Sequence, residues 1–176
     1  HHGLWDWDFP THPNLIDITV DGRDIQALAQ VSKQGFTYVF DRVTGDPVWP
    51  IEERPVPQET NLPGEVPSLT QPFPTKPPPF EYQGVAIDDL VDFTPEIRAM
   101  AVEAVRDFTL GPIFTPPLRT VEGVTQGTIQ RPAIDGGANW GGAGVDPETG
   151  MLYVPSQNRT SILHFYEPDP STGATM

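Results

Sequence analysis

Ile16-Asp17-Ile18-Thr19-Val20 alternates apolar and polar side chains, the period of a strand with one buried face. Asp21-Gly22 follows as a hairpin signal, and Ile25 to Val31 reads as the returning strand. Gly35-Phe36-Thr37-Tyr38-Val39-Phe40 is a further strand, rich in aromatic and β-branched residues. Asp41-Arg42-Val43-Thr44-Gly45 closes it with a turn, and Pro47-Val48-Trp49 restarts. Short strands joined by tight turns predict an antiparallel meander. Val145 to Pro155 reads as strand, turn, strand. One segment changes period. Ile97, Met100, Ala101, Ala104, Val105 and Phe108 recur at helical spacing, with Thr94 as N-cap, Pro95 at the first helical position and Glu96 in the first turn. The pattern predicts a short amphipathic helix over about 95–108, laid against a β surface.

Between 50 and 84 the periodicity stops. Pro55, Pro57, Pro63, Pro67, Pro72, Pro74, Pro77, Pro78 and Pro79 exclude a helix interior or a central strand, so the segment reads as loop. Phe73, Phe80 and Tyr82 punctuate it, which leaves both a flexible linker and a stiff, packed excursion open. The 176 residues carry 22 prolines and 16 glycines yet remain 37% hydrophobic, a mix suited to a turn-rich β fold. A net charge of −14 repels a phosphate backbone and argues against nucleic acid. With no cysteine there is no disulfide and no thiolate metal site. The chain opens on a dense motif without Met and ends abruptly on Ala174-Thr175-Met176, and is expected to be a piece of a longer protein.

That opening motif is His1-His2-Gly3-Leu4-Trp5-Asp6-Trp7-Asp8-Phe9-Pro10. In an extended segment Asp6 and Asp8 share one face, and Trp5 and Trp7 the other. Paired anions repel unless a cation or a proton lies between them, so a hard-cation site, or a base beside one, is the chemistry to test. The alternative is an acidic surface turn. Gly136-Gly137-Ala138-Asn139-Trp140-Gly141-Gly142-Ala143-Gly144 is the second dense segment, and its glycines allow backbone to approach something closely. It lacks the lysine of a phosphate-binding loop.

Asp41-Arg42-Val43-Thr44-Gly45 and Asp146-Pro147-Glu148-Thr149-Gly150 share Asp-x-x-Thr-Gly, with a degenerate third copy at Asp169-Pro170-Ser171-Thr172-Gly173. Recurrence of one unit marks a repeat fold. With Trp49 the first copy resembles the tryptophan-docking repeat of eight-bladed propellers that bind pyrroloquinoline quinone (PQQ). The opening motif with Pro13 and Leu15, Lys33-Gln34-Gly35, Pro55-Val56-Pro57-Gln58, Gln71-Pro72-Phe73, Phe114-Thr115-Pro116-Pro117 and the 136–142 segment are similar to the glucose and quinate dehydrogenase branch. The resemblance implies an all-β partial propeller covering a quarter to a third of the parent. Within one domain, 1–49 and 118–176 would be blade strands and 50–117 a proline-rich excursion with the helix.

It further implies a PQQ-dependent dehydrogenase that oxidises an alcohol or sugar by hydride transfer. Asp6 would be the general base. A calcium ion, or another divalent or lanthanide ion, would polarise the quinone, with Asp6 and Asp8 as candidate ligands; the alternative for Asp8 is a structural turn carboxylate. Lys33 would hydrogen-bond the quinone oxygens, and Asn139 and Trp140 would touch the cofactor rim. Trp140 reads equally as packing between blades. Gly3 stands where the glucose branch commonly has Asp, so sugar specificity is left open. A cytochrome c or ubiquinone would take the electrons, in the periplasm, with the protein soluble or anchored to the inner membrane by segments outside this chain. The competing reading is a non-catalytic propeller scaffold that binds a protein.

Overall fold

The computed structural model describes residues 1–167 and Ser171. β1 (Asn14–Val20), β2 (Arg23–Val31) and β3 (Thr37–Asp41) form the expected antiparallel meander. Asp21 and Gly22 both have positive φ, as the tight two-residue hairpin turn demands. The register sets Ile18 against Ile25 and Ile16 against Ala27. Ile16, Ile25, Ala27, Ala29 and Val39 therefore close one apolar cluster, while Asp17 and Thr19 face water. Period two puts Tyr38 on the opposite side, in a second cluster with Phe36, Trp5, Trp7, Ile113 and Phe114. The second face is thus covered at β3, while its β1 side, with Leu15, Asp17 and Thr19, stays in water.

The proline-rich stretch contains more order than its composition predicts. β4 (Ile51–Pro55) and β5 (Thr70–Pro74) pair antiparallel across it, correcting the loop reading of those residues. Their prolines are tolerated because a two-stranded ribbon consists only of edges. The ribbon is a stiff excursion, not a linker. Phe73 packs edge-on to Phe36 and Phe114 at 5.6 and 5.5 Å between ring centroids.

α1 (Pro95–Val105) starts as predicted, with Thr94 Oγ1 accepting the Ile97 N–H at 3.3 Å. Its expected role as a cover is not met. No residue of α1 is buried, and Met100 on its apolar side is 71% exposed. Ala101, Val105 and Phe108 are half-buried, Phe108 edge-on to His164 at 5.9 Å, so that side is covered only in part among the described residues. Farther on, β6 (Thr128–Gln130) pairs with β9 (Ser161–Leu163), and β7 (Gly144–Asp146) with β8 (Met151–Tyr153).

The two full copies of the turn repeat fold alike. Asp41 Oδ1 accepts the N–H of Val43 at 2.8 Å, and Asp146 Oδ1 that of Glu148 at 2.9 Å. Gly45 and Gly150 take φ of 83° and 70° and return their N–H to the carbonyls of Asp41 and Asp146. Trp49 lies half-buried against the first cluster, which Val145 and Leu152 of the second copy's hairpin also join. The third copy lies outside the described residues apart from Ser171. No helix among the described residues is long and apolar enough to cross a membrane.

Phe36 is almost wholly enclosed, so Phe36→Ala should cost about 3–5 kcal/mol in urea unfolding. Met100→Ala should shift the same curve by less than about 0.5 kcal/mol, since it empties no core.

Candidate active site

The opening segment is not a regular strand, because Asp6 sits at φ 59°. Its side chains nevertheless sort as expected. Trp5 and Trp7 are buried and stack on each other at 5.6 Å, with Phe114 edge-on to both. Trp5 Nε1 donates to the Thr115 carbonyl at 2.7 Å, and Trp7 Nε1 to the Ala133 carbonyl at 3.1 Å. Both indoles thus bury their rings and satisfy their N–H groups. Asp6 and Asp8 are left exposed on the other side.

The cation between them is Lys33. Its side chain is nine-tenths buried, and Nζ reaches Asp8 Oδ1 at 2.6 Å and Asp6 Oδ2 at 3.2 Å. Nζ also donates to the Asp6 carbonyl at 3.0 Å. An ammonium has three N–H donors, and these acceptors use them all. Burial alone would lower the Lys33 pKa; the hydrogen bonds it donates to Asp8 and then Asp6 outweigh it, and the net shift is upward. The hydrogen bond from Lys33 likewise holds the Asp8 carboxyl below the ordinary aspartate range.

The glycine-rich segment supplies the lid over this lysine. A Cβ on Gly136 would stand 2.5 Å from Lys33 Cβ and 2.7 Å from its Cα, and the residue has φ 79°. The Gly137 N–H donates to the Lys33 carbonyl at 2.9 Å. The close approach expected of these glycines is an approach to Lys33 itself. Asn139 and Trp140 follow in the same loop but do not line the cleft at Asp6. Asn139 Nδ2 donates to the Asp135 carbonyl at 2.8 Å, and Trp140 is 85% exposed. Trp140 therefore packs between no blades among the described residues.

Asp6 and Asp8 border an open cleft of about 560 Å³, walled by Trp5, Trp7, Tyr38 and Phe114. Tyr38 donates its hydroxyl to the Pro72 carbonyl, and burial raises its pKa, so it stays a neutral phenol. His1 also borders the cleft, with Nε2 at 2.9 Å from Glu53; His2 bonds Glu65 instead. Flat aromatic walls suit a planar ring such as PQQ, whereas Lys33 lies outside the lining with its three donors engaged by Asp6 and Asp8, so a bond from it to the quinone oxygens requires one of those contacts to be exchanged. A metal centre is less well provided for. Among the described residues no three His, Asp or Glu side chains gather as ligands, and the seat between Asp6 and Asp8 is taken by the Lys33 ammonium. Gln34 and Gln71 also line the cleft, a role the sequence reading missed. Each lies in a motif that carried the resemblance, but a lone Gln announces no chemistry.

Residues 1–175 match the family model of the PQQ glucose/ethanol/alcohol dehydrogenase β-propeller domain. The chain is similar to the glycerol dehydrogenase large subunit of Gluconobacter oxydans (strain 621H), 33% identical over 153 residues, covering 86% of this chain and 20% of that protein. It is 36% identical to the quinoprotein glucose dehydrogenase of Escherichia coli (strain K12) over 153 residues, 84% of this chain and 18% of that protein. Against the quinate/shikimate dehydrogenase (quinone) of Acinetobacter baylyi the figure is 32% over 155 residues, 88% of this chain and 18% of that protein. The chain thus spans about a fifth of the length of these relatives, less than the quarter to a third expected.

The lowered Asp8 pKa has a sign that can be checked. Its contribution to stability is present above the unfolded-state aspartate value and is lost as pH falls through the lower, folded value. Urea midpoints measured from about pH 5 down to pH 2 should fall in the parent protein and fall less steeply in Asp8→Asn. Gly136→Ala should destabilise at every pH, because its methyl group meets the Lys33 backbone.

Proposed function

Because the chain belongs to the PQQ glucose/ethanol/alcohol dehydrogenase β-propeller family, of which it forms part of a propeller, we propose that its cleft oxidises a hydroxyl group with Asp6 as the general base. The observation that carries this reading is the placement of the Asp6 carboxylate. It is accessible at the rim of an aromatic cleft while Lys33 grips it from beneath. A base must meet its substrate and yet be held in one orientation, and the positive φ of Asp6 with the Lys33 contacts does both.

Asp6 Oδ receives the proton of the substrate hydroxyl. The electron pair of the O–H bond forms the carbonyl, and the hydrogen on carbon departs as hydride. When bound, PQQ supplies the two-electron acceptor for that hydride. Lys33 keeps its positive charge throughout, countering the charge gathered at the site. Trp5, Trp7 and Phe114 form a dry wall on which a flat ring can lie.

The relatives are named for glycerol, glucose and quinate or shikimate, all polyhydroxylated compounds, so the substrate proposed is a polyol or sugar. Passage of electrons to a cytochrome c or ubiquinone and a periplasmic setting belong to the same proposal. So do contact of Asn139 and Trp140 with the cofactor rim and a place for Asp6 and Asp8 at a calcium-type ion. That last place requires Lys33 to release the carboxylates.

The test is dye-linked oxidation by the full-length protein carrying this chain, loaded with PQQ. Asp6→Asn should lower kcat by about 10²–10⁴ with a smaller effect on KM. Equal measurable turnover by the variant and the parent overturns Asp6 as base, and no turnover by either favours the scaffold reading.

A further inference from the structure

We propose that a second pocket, built around Glu81, binds a guanidinium group, carried either by an arginine side chain or by a small free ligand. Glu81 lies in the loop between β5 and α1 and is 9% exposed. Two glycines make room for its stem. A Cβ on Gly35 would stand 2.8 Å from Glu81 Cβ, and one on Gly137 would meet Glu81 Cγ. The carboxylate at the end of that stem has no hydrogen bond and no ion pair among the described residues. Gln71 Nε2 and Gln34 Oε1 are sealed from solvent, but the Glu81 oxygens are not, so the carboxylate meets the open pocket of about 480 Å³ that Glu81 lines.

A charge buried to this degree without a partner is costly. Lys33, the other charged residue buried among the described residues, engages every donor it has. Glu81 engages nothing, which points to a cation that completes it. The rest of the wall decides which kind. A calcium-type ion takes about six to eight oxygens, usually from several carboxylates. This pocket has one carboxylate, and no three His, Asp or Glu side chains gather as ligands among the described residues. A guanidinium needs one counter-charge and a surface for its flat, weakly hydrated face. Glu81 supplies the charge, and Phe80 and Tyr82 supply aromatic rings. Ser156 and Asn158 border the same space with side-chain oxygens for the remaining N–H groups. Tyr82 already carries one such contact, with the Arg131 guanidinium 5.1 Å from its ring centroid. Arg131 does not satisfy Glu81, since its Nε donates to the Gly84 carbonyl and its Nη2 to Asp89. The net charge of −14 draws cations toward the chain as a whole.

The experiment titrates ethylguanidinium into the full-length protein carrying this chain, by calorimetry, as wild type, Glu81→Gln and Tyr82→Leu, beside a crystal structure of the wild type. It needs no turnover, so it is independent of the reading of Asp6. Glutamine keeps the shape of Glu81 and removes its charge. Tyr82 is 65% exposed, so leucine there empties no core. The expected result is saturable binding that weakens about tenfold or more in Glu81→Gln and about threefold in Tyr82→Leu. Ethylammonium, which lacks the planar fork, should bind the wild type more weakly than ethylguanidinium. No binding, with an arginine guanidinium seated on Glu81 in the crystal structure, assigns the same site to a side chain of the full-length polypeptide. No binding and no guanidinium on Glu81 overturns the proposal. Equal affinity in wild type and Glu81→Gln overturns it as well.

Discussion

Lys33 is buried yet charged, and most of the site follows from how that charge is accommodated. An ammonium taken out of water needs every N–H engaged. Asp8, the Asp6 side chain and the Asp6 carbonyl provide the acceptors. Those contacts draw residues 6–8 onto the end of β2, and the Gly137 N–H closes over the lysine backbone from the far side. Two exposed carboxylates two residues apart would otherwise repel. The buried cation turns that repulsion into an anchor, and it leaves the Asp6 carboxylate presented to the cleft.

An aromatic cluster does for shape what Lys33 does for charge. Trp5 and Trp7 come from the opening segment, Phe36 and Tyr38 from around β3, Phe73 from β5, and Phe114 from beyond α1. Four stretches far apart in sequence therefore share one packed interior, and the cleft is the side of it left uncovered. The proline-rich ribbon belongs to this interior, which is why it is stiff. Its strands present Gln71 and Pro72 to the cleft, with Pro72 holding the Tyr38 hydroxyl.

Local signals were the readable ones. Asp21-Gly22, the Asp-x-x-Thr-Gly turns and Thr94-Pro95 act within a few residues, and each folds as its chemistry requires. β4 and β5 were hidden because proline statistics speak against strands in general, whereas an edge ribbon escapes the penalty. The partly covered side of α1 shows the opposite limit. Helical periodicity records that an apolar face exists, not how much of it is covered.

The amino-acid sequence by itself determined the alternation that builds the meander, the turns that close it, and the sorting of Trp5 and Trp7 from Asp6 and Asp8, since backbone geometry enforces these over short range. It also contained the motifs by which the family was legible. Only the tertiary structure decided that the cation between the carboxylates is Lys33, that Gly136 presses on that lysine while the Gly137 N–H bonds its carbonyl, and that Gln34 and Gln71 stand at the same cleft. These are meetings between residues tens of positions apart, and no local preference encodes which partners the packed chain brings within hydrogen-bonding distance.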